Sequence, residues 1–291
     1  MPESSHQTDE PLARALALAT DALRARPAGL LTDFDGTLSP IVNDPSQARL
    51  VEGAAAPLRA LADKLAVVAI VTGRAPMDAR HMIGVPELLI AGNHGTEWLE
   101  PGAGEPSPSP DAARLQLLLD GMLDRVPLID GVVIEHKRLS ASVHYRNAAD
   151  PDHARAAVLR ALGAPPPGIE LGGGKMIIEL RPIGMGNKGT ATRTIIERFG
   201  LRGAIVMGDD LTDLDMFTAV AEARAAGQLQ AAIIGVGGAD ERVPGEVAHA
   251  ADAVLPDVRQ VAILLRALAA RRLTTQQLLL RHLGRGHGSH P

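Results

Sequence analysis

The sequence predicts a doubly wound α/β fold, a parallel sheet of Rossmann-like type, with a smaller α+β domain inserted into it. Three observations predict this. Runs of about five apolar, β-branched residues recur without alternation, as expected for strands buried on both faces. Amphipathic stretches separate several of them. Between residues 103 and 184 the pattern changes to an αββαββ order with hairpin-length turns.

Residues 1–10 are polar and read as a tail. PLARALALATDALRA (11–25) reads as a helix opened by Pro11, with Pro27 and Gly29 after it. AGLLTD (28–33) is the first buried strand and stops at an acid. The same sentence repeats in KLAVVAIVTGR (64–74), ELLIAGNHG (87–95), GAIVMGDD (203–210), QAAIIGVGG (230–238) and ADAVL (251–255). Helices are predicted over 54–64, 188–200 and 214–227. EPGAGEPSPSPD (100–111) is a Pro/Gly/Ser linker. It leads into an αββαββ succession: a helix at 114–126, a hairpin of GVVIEHK (131–137) and ASVHYR (141–146), a helix at 152–163, then GIEL (168–171) and KMIIELRP (175–182). Residues 256–284 read as two helices. The expected organisation is therefore an amino-terminal tail and helix (1–27), a catalytic core (28–102 and 185–291) and an inserted cap (103–184).

Composition excludes several classes. Apolar residues make up 46% and charged residues 22% of the 291, enough for a packed core and too apolar for a disordered chain. The net charge is −5 and there are only five aromatic residues, which argues against a nucleic-acid interface. No run approaches the length of a membrane span, and MPESSHQTDE does not read as a signal peptide. Absence of cysteine excludes thiolate chemistry and fits a cytoplasmic location. Only four of the 29 basic residues are Lys: Lys64, Lys137, Lys175 and Lys188. Arg is a planar fork and Lys a compact point charge, so a chain rich in Arg keeps Lys where a fork would not serve.

In a parallel α/β sheet, ligands bind beyond the carboxyl ends of the strands. Each polar cluster above sits at such an end, so Asp33, Asp35, Thr37, Thr72, Arg74, Asn93, His94, Asp209, Asp210 and Asp213 are expected to converge on one crevice. Asp33 and Asp35 close together, joined by Asp209, would be tolerable only with a cation. Oxygen-only ligands point to a hard one, Mg²⁺. Taken singly, Asp33 and Asp35 could be turn or cap residues, and Asp209-Asp210 the cap of the helix that follows. Asp213 either anchors its loop or pairs with Lys188. Lys188 at a helix start opposes the helix dipole unless an anion is also bound. A metal, a nucleophilic carboxylate, a proton-transferring carboxylate, a hydroxyl and a Lys together make the equipment of phosphoryl transfer.

DFDGT, Thr72 in VTGR, Lys188 in GNKG and GDDLTD resemble, in order, the four motifs of the haloacid-dehalogenase superfamily. LLTDFDGTLSPIV, GNHG, an ExK…HYR hairpin and GKMIIELRP are, more closely, similar to the trehalose-6-phosphate phosphatase family over roughly residues 28–260. One departure is Leu214 in TDLD, where the family usually has an acid. The resemblance implies an Mg²⁺-dependent phosphatase. Asp33 would be the nucleophile and Asp35 the acid and base, with Thr72 and Lys188 holding the phosphoryl oxygens. Asp33, Asp35 through its main-chain carbonyl, and Asp209 would hold Mg²⁺, with Asp210 and Asp213 behind them. Glu135, Lys137, Arg146, Lys175 and Glu179 of the cap would grip the sugar. Without the resemblance, those five would equally suit an exposed, charge-paired sheet face. Arg74 and Asn93 either touch substrate or brace loops, and His136 and His144 read as structural. The expected substrate is trehalose 6-phosphate. A different sugar phosphate such as sucrose phosphate, or a silent phosphosugar-binding module, are the alternatives. The expected partner is a small phosphorylated sugar, with no nucleic acid, membrane or obligate protein partner.

Overall fold

The computed structural model describes residues 9–42, 44–137, 140–174, 176–183, 187–238 and 243–271. The chain forms two compact units, residues 1–106 with 188–291, and 107–187. The inserted unit therefore begins and ends three to four residues later than the turn-rich linker suggested. The return falls on Lys188, the first residue of a helix.

The first unit is a three-layer α/β/α sandwich. Its strands are β1 (Ala28–Thr32), β2 (Val67–Val71), β3 (Leu89–Gly92), β4 (Glu97–Leu99), β10 (Gly203–Gly208), β11 (Gln230–Val236) and β12 (Ala253–Leu255). They lie in the order β12-β11-β10-β1-β2-β3-β4. All neighbours are parallel except β3 and β4. Strand order reverses between β1 and β10, whose registers run from Ala28↔Gly203 to Thr32↔Met207. That reversal opens a crevice at their carboxyl ends.

Successive residues of each strand face opposite layers. Leu30, Ile70, Ile90, Ile205 and Ile234 pack with α1 (Asp9–Ala22), α2 (Ala55–Lys64), α3 (Pro76–Ile83) and α9 (Val258–Ala270). Leu31, Val71, Leu89, Val206 and Ile233 pack with α6 (Lys188–Arg198), α7 (Leu214–Ala225) and α8 (Gly245–Ala250). Two buried faces explain why the strands show no polar alternation.

Helix α1 corrects one expectation. It is no appendage to the core: Ala15 and Ala19 are fully buried beneath the sheet, where their small side chains let the helix lie close, and Leu23 just after it is buried as well. Strand β4 was not expected. Three residues are too short for a periodic signal, and Trp98 is anchored there by donating from Nε1 to the Gly95 carbonyl at 2.9 Å. Of the two carboxyl-terminal helices expected, α9 is present, and the second falls in 272–291, outside the described residues.

The second unit follows the expected succession. After a two-residue strand, β5 (Ser107–Pro108), come α4 (Pro110–Leu123), β6 (Val133–Lys137), β7 (Ser140–His144), α5 (Pro151–Leu162), β8 (Ile169–Gly174) and β9 (Ile177–Pro182). The last four strands form an antiparallel sheet in the order β6-β7-β9-β8. Ala141, Val143, Ile178 and Leu180 pack with Leu115, Leu119 and Val158 of the helices. The register aligns Glu135, Ser142, Glu179 and Gly172 in one row across the opposite face.

Candidate active site

Asp33 follows β1 directly and is fixed by donating its backbone N–H to the Met207 carbonyl at 3.0 Å. Its side chain is 7% exposed. The loop then turns sharply: Gly36 has φ +75°, and a Cβ there would lie 1.9 Å from Asp209 Oδ2. Only glycine permits both the left-handed backbone and this approach. Thr37, the next residue, donates from Oγ1 to Asp209 Oδ1 at 2.9 Å. The DGT turn thus brings the acids after β1 and β10 together across the reversal.

Asp213 organises the second loop. It is fully buried, and its Oδ2 accepts from the backbone N–H groups of Asp209 (2.9 Å) and Asp210 (3.1 Å). Asp210 caps the turn Leu211–Asp213 by accepting from Thr212 N–H at 3.0 Å, completing a capping box. Both alternatives for Asp213 hold at once, because its Oδ1 also meets Lys188 Nζ at 2.8 Å. The same ammonium lies 2.9 Å from Asp33 Oδ1. Lys188 is 4% exposed and stands at the amino end of α6. Its position against the helix dipole is offset by these two carboxylates.

The charges do not balance. Asp33, Asp209 and Asp213 each offer a carboxylate oxygen within 4.8 Å of the others, against one ammonium. Burial pushes the Asp33 carboxyl well above the usual range, Asp213 adds to this, and Lys188 only partly opposes it. Burial, then Asp213, raises Asp209 to about 7. Burial pulls Lys188 down, but Asp33 and Asp213 outweigh it and hold the ammonium above its ordinary value. A surplus of buried hard oxygen donors is the chemistry that suits a divalent cation of the Mg²⁺ type. Asp213 already has both oxygens engaged by N–H donors, which leaves Asp33 and Asp209 as the side chains suited to hold it.

Thr72 follows β2 and is 1% exposed. Its Oγ1 accepts from Arg74 N–H at 3.2 Å. Arg74 takes the loop-bracing alternative in this structure. Its guanidinium forms a two-pronged pair with Asp35, Nε to Oδ2 and Nη2 to Oδ1, both 2.7 Å, and lies 5.8 Å from the Phe34 ring. Its partner in the structure is the loop acid Asp35, because the Thr-Gly-Arg turn follows the strand next to β1. Asn93 donates its amide to the Glu97 carboxylate and has φ 49°, so the side chain braces the loop. His94, also left-handed at φ 57°, is exposed beside Gly73. Gly36 was missed as a site residue, although a glycine directly after the second acid was its visible signal.

In the second unit, Glu135 Oε2 lies 3.2 Å from His144 Nε2 across the hairpin, within hydrogen-bond distance. Glu179 pairs with Arg181 at 2.7 Å. Arg181 was not anticipated, although it lies two residues from Glu179 and so on the same face. Arg146 is exposed after β7, and Lys137 ends β6. Lys175 falls outside the described residues.

An acid-lined reversal between β1 and β10, with a Lys at the start of the helix that leads into β10, defines a core of the haloacid-dehalogenase fold. A family model described as trehalose-phosphatase matches residues 31–245. The chain belongs to the trehalose-phosphatase family. It is 39% identical over 216 residues to a trehalose-phosphate phosphatase of Mycobacterium avium, covering 71% of this chain and 55% of that protein. It is 43% identical over 207 residues to an uncharacterized glycosyl hydrolase of Mycobacterium tuberculosis, covering 67% of this chain and 15% of that one. The structure is similar to that of Aspergillus fumigatus trehalose-6-phosphate phosphatase, with TM-score 0.56 and 26% identity over 89% of this chain and 97% of that one. The chain spans about half the length of the curated phosphatases it matches. No helix among the described residues is long and apolar enough to cross a membrane.

Proposed function

We propose that this chain hydrolyses the phosphate monoester of a sugar, trehalose 6-phosphate in the first place, releasing sugar and inorganic phosphate in the reducing cytoplasm. One observation carries the reading: Asp33 and Asp209 face each other at the strand-order reversal, with the buried ammonium of Lys188 at 2.9 Å from Asp33.

Asp33 attacks phosphorus, the bond from phosphorus to the sugar oxygen breaks, and an aspartyl-phosphate forms. Asp35 gives its proton to the departing oxygen. It then takes a proton from the water that attacks the aspartyl-phosphate, which restores Asp33 and frees phosphate. For this the Asp35 carboxyl leaves the Arg74 fork. Lys188 and Thr72 hold the phosphoryl oxygens. Asp33 and Asp209 side chains and the Asp35 carbonyl would hold Mg²⁺, which supplies neutralisation of the charge that the phosphoryl group brings. Glu135, Lys137, Arg146, Lys175 and Glu179 supply donors and acceptors for sugar hydroxyls. The chemistry needs all these parts together, since phosphate-monoester hydrolysis requires up to ~10²¹-fold acceleration.

The test is phosphate release from a panel of sugar phosphates, with Mg²⁺ and with EDTA, for the wild type and Asp33→Asn. Release from trehalose 6-phosphate that needs Mg²⁺ and vanishes in Asp33→Asn is expected. Turnover by Asp33→Asn at a tenth of wild type overturns the nucleophile. A preference for another sugar overturns the substrate and leaves the reaction class standing.

A further inference from the structure

Three connections converge at the amino ends of β10 and β11, the end of the sheet opposite Asp33 and Asp209. They are the segment from α1 to β1, the segment from α6 to β10, and the segment from α7 to β11. The six residues of β10 put roughly 20 Å between this end and the candidate active site. A cavity of about 650 Å³ lies among them, and Arg26, Arg202 and Arg224 line it. No acidic residue does.

Of the nearby carboxylates one already meets a lining arginine, Arg224, and the other lies with residues beside the cavity, which leaves Arg26 and Arg202 without an acidic partner among the described residues. Asp252 accepts from Arg224 Nη1 at 2.7 Å and from the Ile233 N–H at 2.9 Å. Asp21 accepts from Gln230 Nε2 at 2.6 Å and pairs with Arg24 at 3.4 Å. Arg202 reaches only the Gln228 carbonyl, at 3.5 Å. Arg26 is the most telling. Its Nη1 is buried and has no hydrogen-bond partner. A buried guanidinium N–H without an acceptor is costly, and such groups in native proteins have partners. Burial also lowers the Arg26 pKa, with no carboxylate compensating.

We propose that this cavity is a second ligand site, which binds a phosphate-class oxyanion, either inorganic phosphate or the phosphoryl group of a small ester. The oxyanion supplies acceptors for the lining guanidinium groups, and Arg26 Nη1, covered and unpaired as it stands, gains one when its side chain turns toward the cavity. Guanidinium forks match a tetrahedral group with several oxygens better than they match a halide or a single carbonyl. The walls also relate the site to the rest of the unit. Arg202 follows α6, which begins at Lys188, and Arg224 lies in the last turn of α7, which begins after Asp213.

The experiment titrates the full chain, in EDTA and at constant ionic strength, with inorganic phosphate and separately with glycerol 3-phosphate, followed calorimetrically. The double variant Arg26→Met/Arg202→Met leaves the active-site pocket unaltered, so binding there persists in it and is told apart from binding at the second site. Saturable binding of either probe is expected, weakened about tenfold or more in Arg26→Met/Arg202→Met. Phosphate binding alike in strength to the ester identifies the free anion as sufficient, and binding of the ester alone identifies an esterified ligand. Absence of saturable binding by both probes overturns the proposal. So does undiminished binding in the double variant. Arg202→Met alone, at an exposed position, keeps the test readable should the double variant not fold, with a severalfold weakening expected and no change counting against the site.

Discussion

Replacing Lys188 by Met removes the only ammonium among the described residues in contact with Asp33 (2.9 Å) and Asp213 (2.8 Å) and keeps much of the side chain's volume. At 4% exposure water cannot take its place. Breaking a buried pair by removing one partner costs about 3–5 kcal/mol, because the other charge stays buried without compensation. For a unit of this size about 2–4 °C of melting temperature corresponds to each kcal/mol. The expected fall is therefore roughly 6–20 °C in metal-free buffer near pH 7.5. The penalty should shrink towards pH 5. Asp33 and Asp209 already have raised pKa values, and protonation removes the charges that lost their partner. Trp98 is the chain's only Trp, is 2% exposed and lies in β4 of the first unit, so its fluorescence follows unfolding of that unit. Melting curves of wild type and variant in EDTA at both pH values are the assay. A fall under 3 °C near pH 7.5, or an equal fall at both pH values, would show that Lys188 does not balance these carboxylates.

Gly36→Ala places a methyl 1.9 Å from Asp209 Oδ2 on a left-handed backbone, so phosphatase turnover should drop at least a hundredfold, with about 1 kcal/mol or more of lost stability; steady-state rates and urea unfolding check both. Asp209, raised to about 7 from an ordinary value near 4, binds a proton in the folded but not the unfolded state between those values. Metal-free stability should therefore fall as pH rises from about 4 to 7 and then level off, while stabilisation by Mg²⁺ grows over the same range; a metal-free melting temperature that climbs through this window would contradict the assignment. Arg74→Gln frees Asp35 from the fork that it must leave to transfer a proton, so kcat for a sugar phosphate should stay within about threefold of wild type or rise; a fall of about tenfold or more would show that Arg74 holds Asp35 in its working position. A rise in KM at unchanged kcat would instead make Arg74 a substrate-binding residue. Glu135→Ala should lower kcat/KM for trehalose 6-phosphate by roughly ten- to hundredfold and leave p-nitrophenyl phosphate hydrolysis nearly unchanged; parallel losses on both substrates would remove Glu135 from sugar recognition.

The sequence by itself determined the layers and the end of the sheet at which the acids gather. Strands such as Ala28–Thr32 and Val67–Val71 are buried on both faces, and this writes itself as an unbroken apolar run. The acid or hydroxyl that ends each run is a local feature, so Asp33, Thr72 and Asp209 could be placed at carboxyl ends before any strand order was known. The αββαββ succession was legible for the same reason, since turn chemistry acts over a few residues. Short elements escaped: β4 and α8 are too brief to carry a period.

Tertiary structure decided what depends on which strands become neighbours. Arg74 meets Asp35 because β2 lies beside β1, and Lys188 meets both Asp33 and Asp213 because α6 packs over the reversal between β1 and β10. Gly36 matters only because Asp209 comes within a methyl's radius of it from a strand 172 residues further along the chain than Thr37. The inclusion of α1 in the core had the same origin, since Ala15 and Ala19 show no more than a weakly apolar face until the sheet beneath them is known. The gathering of Arg26, Arg202 and Arg224 around one cavity could not be read from three connections so distant in sequence. Side-chain chemistry is written locally. Charge balance, burial and close approach belong to pairs of residues, and only the assembled sheet chooses the pairs.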